Sequence, residues 1–196
     1  MKKIILTTAI VLLFTVSAMA QVPSKPFSLY GNLGVSLPQS PDGFKDMYKM
    51  GLHANAGVGF AVAPTMQLVG KVGIHRFGPD KDAMGDGNLD GGTFTAITYG
   101  VDLRASLGVP MAPVKPFGFA GIGMASLKVG EITSNTLGTN PEISESKFYF
   151  NFGGGIEFKS GPLMSFFVQA SYIGISVDDT FDERIVMIPV SLGIKF

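Results

Sequence analysis

The 196-residue chain has no cysteine, no tryptophan and only two histidines, and charged residues make up just 15% of it. Without cysteine it forms no disulfide and offers neither a thiol nucleophile nor a thiolate metal site, even in an oxidising compartment. Beyond residue 20 the chain has no long apolar run, which excludes a transmembrane helix there. Excess positive charge is also missing. Basic and acidic residues number 15 each, so no electrostatic footprint for nucleic acid exists. The abundant residues are glycine, 26, and phenylalanine, 16, within a chain that is 46% hydrophobic. High apolar content without apolar runs is how a membrane β-barrel carries its hydrophobicity.

The first twenty residues, MKKIILTTAIVLLFTVSAMA, read as a cleaved signal peptide. Lys2 and Lys3 form a positive start, Ile4 to Val16 an apolar stretch too short to span, and Ala18-Met19-Ala20 a small-x-small cleavage site. The expected folded domain is therefore 21–196. Cleavage removes two of the 15 basic residues and no acid, leaving 13 against 15, a net charge of −2.

Eight segments of the remainder alternate with a period of two, the signature of strands with one apolar and one polar face. They are Phe27–Leu37, Gly51–Ala63, Met66–Phe77, Phe94–Gly108, Phe117–Val129, Lys147–Lys159, Met164–Val177 and Arg184–Phe196. In the second, Leu52, Ala54, Ala56, Val58, Phe60 and Val62 face one way, and His53, Asn55, Gly57 and Gly59 the other. The sixth, KFYFNFGGGIEFK, sets Phe148, Phe150, Phe152, Ile156 and Phe158 against Asn151, Gly153, Gly155 and Glu157. The fifth carries apolar residues on both faces, and there Phe117, Phe119 and Leu127 are expected to point outward. Tight proline-bearing turns alternate with longer polar loops, and each strand is long enough for a tilted span of the hydrocarbon core. In lipid every backbone polar group must pair, so the eighth strand has to close on the first. The fold class expected is all-β: one eight-stranded antiparallel transmembrane β-barrel. A soluble lipocalin-like barrel, apolar inside, is the alternative.

The terminal IPVSLGIKF ending on Phe196, the FGGGIEF of the sixth strand and the SFFVQASY of the seventh resemble the small eight-stranded outer-membrane β-barrels of the OmpA/OmpX type. That resemblance covers everything after the signal. It implies the outer membrane of a Gram-negative bacterium, with lipid and lipopolysaccharide as surroundings. It also implies that Phe196 resembles the signal read by the outer-membrane assembly machinery. Many members carry an aromatic residue two places earlier, where this chain has Ile194, and any aromatic girdle here rests on Phe and Tyr.

A barrel of eight strands has an interior that side chains can fill. The inward polar residues expected are Asn32, His53, Asn55, Lys71, His75, Asp102, Arg104, Asn151, Glu157 and Gln169. Lys71 and Asp102 are candidates for a cross-strand pair, with Arg104 and Glu157 below them. Such a network satisfies buried charge, or else forms a gated pore or proton path. A catalytic reading fares worse. HANAG at His53 matches the first position of a lipid A deacylase pattern, but the serine position holds Asn55 and the nucleophile is missing. The paired carboxylates and Asp–His couple of an omptin-like protease are absent too.

The second outer loop contains Asp86, Asn88, Asp90 and Gly91, which match the first half of an EF-hand loop and offer a weak Ca²⁺ site. Its twelfth position is Ile97 instead of a bidentate Glu. The third outer loop, GEITSNTLGTNPEISES, reads as an exposed contact surface for a host or surface ligand. Arg76 and Lys147 fall near the outer rim, within reach of lipopolysaccharide phosphates. No other cofactor is expected. The leading expectation is a non-enzymatic, porin-like or OmpX-like cell-envelope protein whose barrel anchors loops for envelope integrity or surface and host contact. A narrow channel or carrier for small or apolar solutes is the second reading, and a lipid-modifying enzyme the third.

Overall fold

The computed structural model describes residues 26–80, 89–107, 113–130, 132–134, 138–140, 143–161, 163–177 and 184–196. Eight long strands form a closed barrel: β1 (Phe27–Ser40), β2 (Gly51–Ala63), β3 (Met66–Phe77), β5 (Phe94–Ser106), β6 (Val114–Val129), β9 (Ile143–Lys159), β10 (Ser165–Ser176) and β11 (Arg184–Lys195). Each pairs antiparallel with its neighbours in that order, and β11 returns to β1. A short helix, α1 (Asp42–Met47), lies between β1 and β2. Three short strands, β4 (Leu89–Gly91), β7 (Ile132–Ser134) and β8 (Gly138–Asn140), make a separate antiparallel sheet. Among the described residues no helix is long and apolar enough to cross a membrane.

Closure is complete at the end of the chain. Leu29 and Phe196 exchange two backbone hydrogen bonds, each 3.0 Å, beyond the register that sets Val35 opposite Val190 and Tyr30 opposite Lys195. No barrel strand is left with an open edge, as lipid requires. The barrel has two unlike ends. The turn end carries Phe27, Phe196 and the two-residue β2–β3 turn. The loop end carries α1 and the small sheet.

The outer surface is apolar. Leu33, 67% exposed, and Leu52, 70% exposed, lie on it with Val58, Ile122, Val168 and Leu192, whereas their chain neighbours face inward. A lipocalin arrangement has the opposite polarity, so this surface is one that lipid covers.

The fifth long strand, β6, faces opposite to its expected direction. Phe117 and Leu127 are buried inside, Phe119 packs against that interior cluster, and Ile122 and Met124 face out. Apolar residues on both faces made the alternation ambiguous, and packing decides it. An added Cβ on Gly155 of β9 would lie 2.7 Å from the Phe117 ring, and one on Gly153 would lie 2.7 Å from the Phe119 ring. The glycines of FGGGIEF thus leave room for two phenyl rings from the adjoining strand. Tyr30 over Gly59 and Phe167 over Gly193 repeat the arrangement. A narrow lumen accepts large rings only beside residues without side chains.

Other differences concern lengths: β1 runs on to Ser40 instead of ending at Leu37, and β5 ends at Ser106 instead of Gly108. β6 begins at Val114 instead of Phe117, and β9 at Ile143 instead of Lys147. The paired register runs on to Val129 opposite Ile143; β5 follows β6 to that end, with Phe94 opposite Val129, whereas β9 runs past β10, whose pairing stops at Ile175 opposite Tyr149.

Candidate functional site

The barrel interior is layered along its axis. At the loop end, α1 turns Phe44 inward, where its ring lies 5.3 Å from Phe77 and 5.1 Å from Phe94. Tyr149, Ile173, Ile175 and Met187 complete this apolar plug. It had no forecast in the periodicity, because α1 sits in a loop and strand-end residues carry little alternation.

Beneath the plug lie the two histidines, on neighbouring strands and directly opposite in register. Their rings stack 5.2 Å apart, and each Nδ1 meets Ser36 Oγ, at 3.1 Å from His53 and 2.9 Å from His75. The Ser36 hydroxyl has one proton, so it donates to at most one of the two Nδ1 atoms. Both Nε2 atoms lie buried without a protein partner. Nothing in the spacing of Ser36 along β1 marks it as a bridge.

The next layer is charged. Lys71 Nζ on β3 lies 2.7 Å from Asp102 Oδ2 on β5, and Asn55 donates to Asn32 at 2.8 Å. Below, Arg104 donates to Glu157 at 2.9 Å, across the lumen from β5 to β9. Lys195 takes the other Glu157 oxygen at 3.5 Å, a third partner overlooked in the sequence although Lys195 has inward parity. The Arg104 guanidinium sits 3.5 Å above the Phe117 ring and 5.1 and 5.2 Å from Tyr30 and Phe167. Cation–π attraction thus adds to the ion pair. Tyr30 in turn donates to Gln67, which bonds Ser28.

Between the histidines and the Arg104 layer is a cavity of about 60 Å³, lined by Asn32, Asn55, Lys71, Thr98, Asp102 and Gln169 among others. That is room for a few water molecules, and the polar lining suits them. The structure therefore brings together Lys71 with Asp102 and Arg104 with Glu157. Asp86 and Asn88 fall outside the described residues, while Asp90 lies in β4 paired with Thr133. No group of three or more His, Cys, Asp or Glu positioned to hold a metal occurs among the described residues. The second and third loops, taken separately in the sequence, are joined by the β4–β7 pairing.

Ser36 between two imidazoles has the composition of a nucleophile–base couple. Its burial is complete, at 0% exposed, below a plug of phenyl rings. The nearby Asp102 is committed to Lys71. In this closed arrangement no substrate reaches the hydroxyl.

A closed barrel with a lipid-facing exterior and a polar, filled lumen defines a small transmembrane β-barrel of the bacterial outer membrane. The chain belongs to the outer membrane protein beta-barrel domain family, whose model matches residues 6–196. The solved Neisserial surface protein A superposes with a TM-score of 0.63 at 14% identity, covering 87% of this chain and 96% of that one. OprG from Pseudomonas aeruginosa gives 0.58 at 13% identity, with 87% and 95% covered. Ail, the attachment invasion locus protein of Yersinia pestis, gives 0.52 at 20% identity, with 87% and 97% covered. These likenesses are of fold. No curated protein matches the chain by sequence. The protein is located in the outer membrane of a Gram-negative bacterium.

Proposed function

We propose that the protein is a non-enzymatic, non-conducting barrel that holds its loop end at the cell surface, for envelope integrity or contact with surfaces and hosts. The observation that carries this reading is the double closure of the lumen. Phe44 and its neighbours seal the loop end, and the Arg104–Glu157 bridge crosses the interior further down. A filled lumen leaves the loops as the accessible working surface. The names of two structural neighbours, a surface protein and an attachment protein, support the same reading.

Conductance of the purified protein in a planar bilayer, with Asp102→Ala and Arg104→Ala alongside, tests it. We expect silence from the wild type. Steady single-channel steps altered by either substitution would overturn the reading and make the lumen network a path for small solutes.

Four further assignments belong to this proposal. Export proceeds with cleavage after Ala20, which N-terminal sequencing of the membrane-derived protein checks. Phe196, 52% exposed beside the closing ladder, is the residue presented to the assembly machinery. Lipopolysaccharide phosphates are met by Arg76 and Lys147 at the loop end, and a weak Ca²⁺ site involves Asp86, Asn88 and Asp90.

A further inference from the structure

The turn end of the lumen gathers charge of one sign. Lys115 of β6 lies opposite Glu157 of β9 in register, so it shares Glu157's inward parity. Lys159, two residues beyond Glu157, has that parity too. Ser165 of β10 faces Lys159 on one side and Lys195 of β11 on the other. Three lysines from three strands therefore ring one mouth of the barrel, with Arg104 behind them.

One acidic side chain serves this set, and both its oxygens are already used, while the α-carboxylate of Phe196 also stands at this end. Glu157 Oε2 takes Arg104 and Oε1 takes Lys195. It is the only acidic side chain at the turn end among the described residues. Neither Lys115 nor Lys159 has an ion pair among the described residues. They are diagonal neighbours on the inner face of the β6–β9 pair, Lys115 standing opposite Glu157 and the Lys159 N–H bonding the Pro113 carbonyl at 2.9 Å, so Lys115 faces the like charge of Lys159 as well as the Glu157 carboxylate. A second observation points the same way: Arg104 is 5% exposed, and its Nε has no partner.

Four cations outnumber the anionic groups at this end and repel one another, least screened at buried Arg104 and half-buried Lys195 and most screened at exposed Lys159. A multiply charged oxyanion relieves the repulsion, and ammonium groups on flexible stems are suited to phosphate as point charges. Approach is from the turn end alone, because phenyl rings close the loop end. We infer that the turn-end vestibule formed by Lys115, Lys159 and Lys195 binds a phosphate group. The group is carried either by a small soluble anion or by the headgroup of an anionic phospholipid in the adjacent leaflet.

The test uses the full protein purified from membranes into a maltoside detergent free of phosphate. Calorimetric titration with inorganic phosphate and with pyrophosphate forms the first arm. The second measures retention of phosphatidylglycerol against phosphatidylcholine from nanodiscs by native mass spectrometry. Each arm compares wild type with Lys115→Gln/Lys159→Gln and with the loop-end control Lys128→Gln. Heat-modified gel migration verifies that every variant is folded. Saturable one-site binding of a soluble anion, weakened about tenfold or more only in the double variant, supports the inference with a soluble ligand. Lysine-dependent retention of phosphatidylglycerol without soluble-anion binding supports it with a headgroup. Absence of both, or binding that the double variant leaves unchanged, overturns it.

Discussion

Neutralising Glu157 should damage the barrel far more than its size suggests. Glu157→Gln keeps the shape of the side chain and removes its charge. Arg104 and Lys195 are then left facing the same point, 2.9 and 3.5 Å from the former carboxylate oxygens, with no counter-charge between them. The Arg104 and Glu157 side chains are 6% and 5% exposed, so solvent does little to screen the loss. Removing one member of such a buried pair costs about 3–5 kcal/mol. The three rings around Arg104 remain in place in both proteins, so their attraction does not change the difference. The opposite substitution, Arg104→Met, should cost less, about 1–3 kcal/mol, because Glu157 retains Lys195. The double variant should then fall short of the sum by about 1–3 kcal/mol. Urea titration in lipid vesicles, run in both directions and followed by circular dichroism and gel migration, measures all three. A cost below about 1 kcal/mol for Glu157→Gln, or additive single costs, would refute the claim that this ion pair is buried and coupled.

Other outcomes follow from the same structure. Gly155→Ala should destabilise the barrel clearly, because its Cβ would lie 2.1 Å from the Val168 carbonyl oxygen and 2.7 Å from the Phe117 ring. Gly154→Ala, 3.1 Å from the nearest atom, should be much milder, and paired urea titrations would rank the two. Leu33→Arg places a charge on the lipid face of β1 and should cost about 2–4 kcal/mol near the bilayer midplane, read as a lower folding midpoint in vesicles. Phe44→Ala removes a ring buried against Phe77 and Phe94 and should cost about 3 kcal/mol or less, since α1 is anchored at one end of the barrel only. Limited proteolysis should then cut near α1 while the barrel strands stay resistant.

What was legible in the chain was legible for a local reason. Side chains on a strand alternate strictly, so Leu52 and His53, or Ile156 and Glu157, declare their faces without reference to anything distant. A lipid exterior keeps that contrast sharp. The same rule failed at β6 because aromatic rings fill the lumen, and Phe117 looks as apolar as a lipid-facing residue. Only the glycines of the adjoining β9 and the guanidinium of Arg104 show which side it takes. Partners were legible in part: parity put Lys71, Asp102, Arg104 and Glu157 inside, and the strand register then determined which atoms meet.

By itself, then, the sequence determined the strands, their closure into one barrel and the faces of seven of the eight. These depend on a two-residue period and on the need to pair every backbone group in lipid. The tertiary structure alone decided that Ser36 bridges two histidines, that α1 brings Phe44 over the mouth, that the second and third loops pair, and that three lysines share one rim. Each of these joins residues distant in the chain, and their distances are set by register and curvature, which no local pattern encodes.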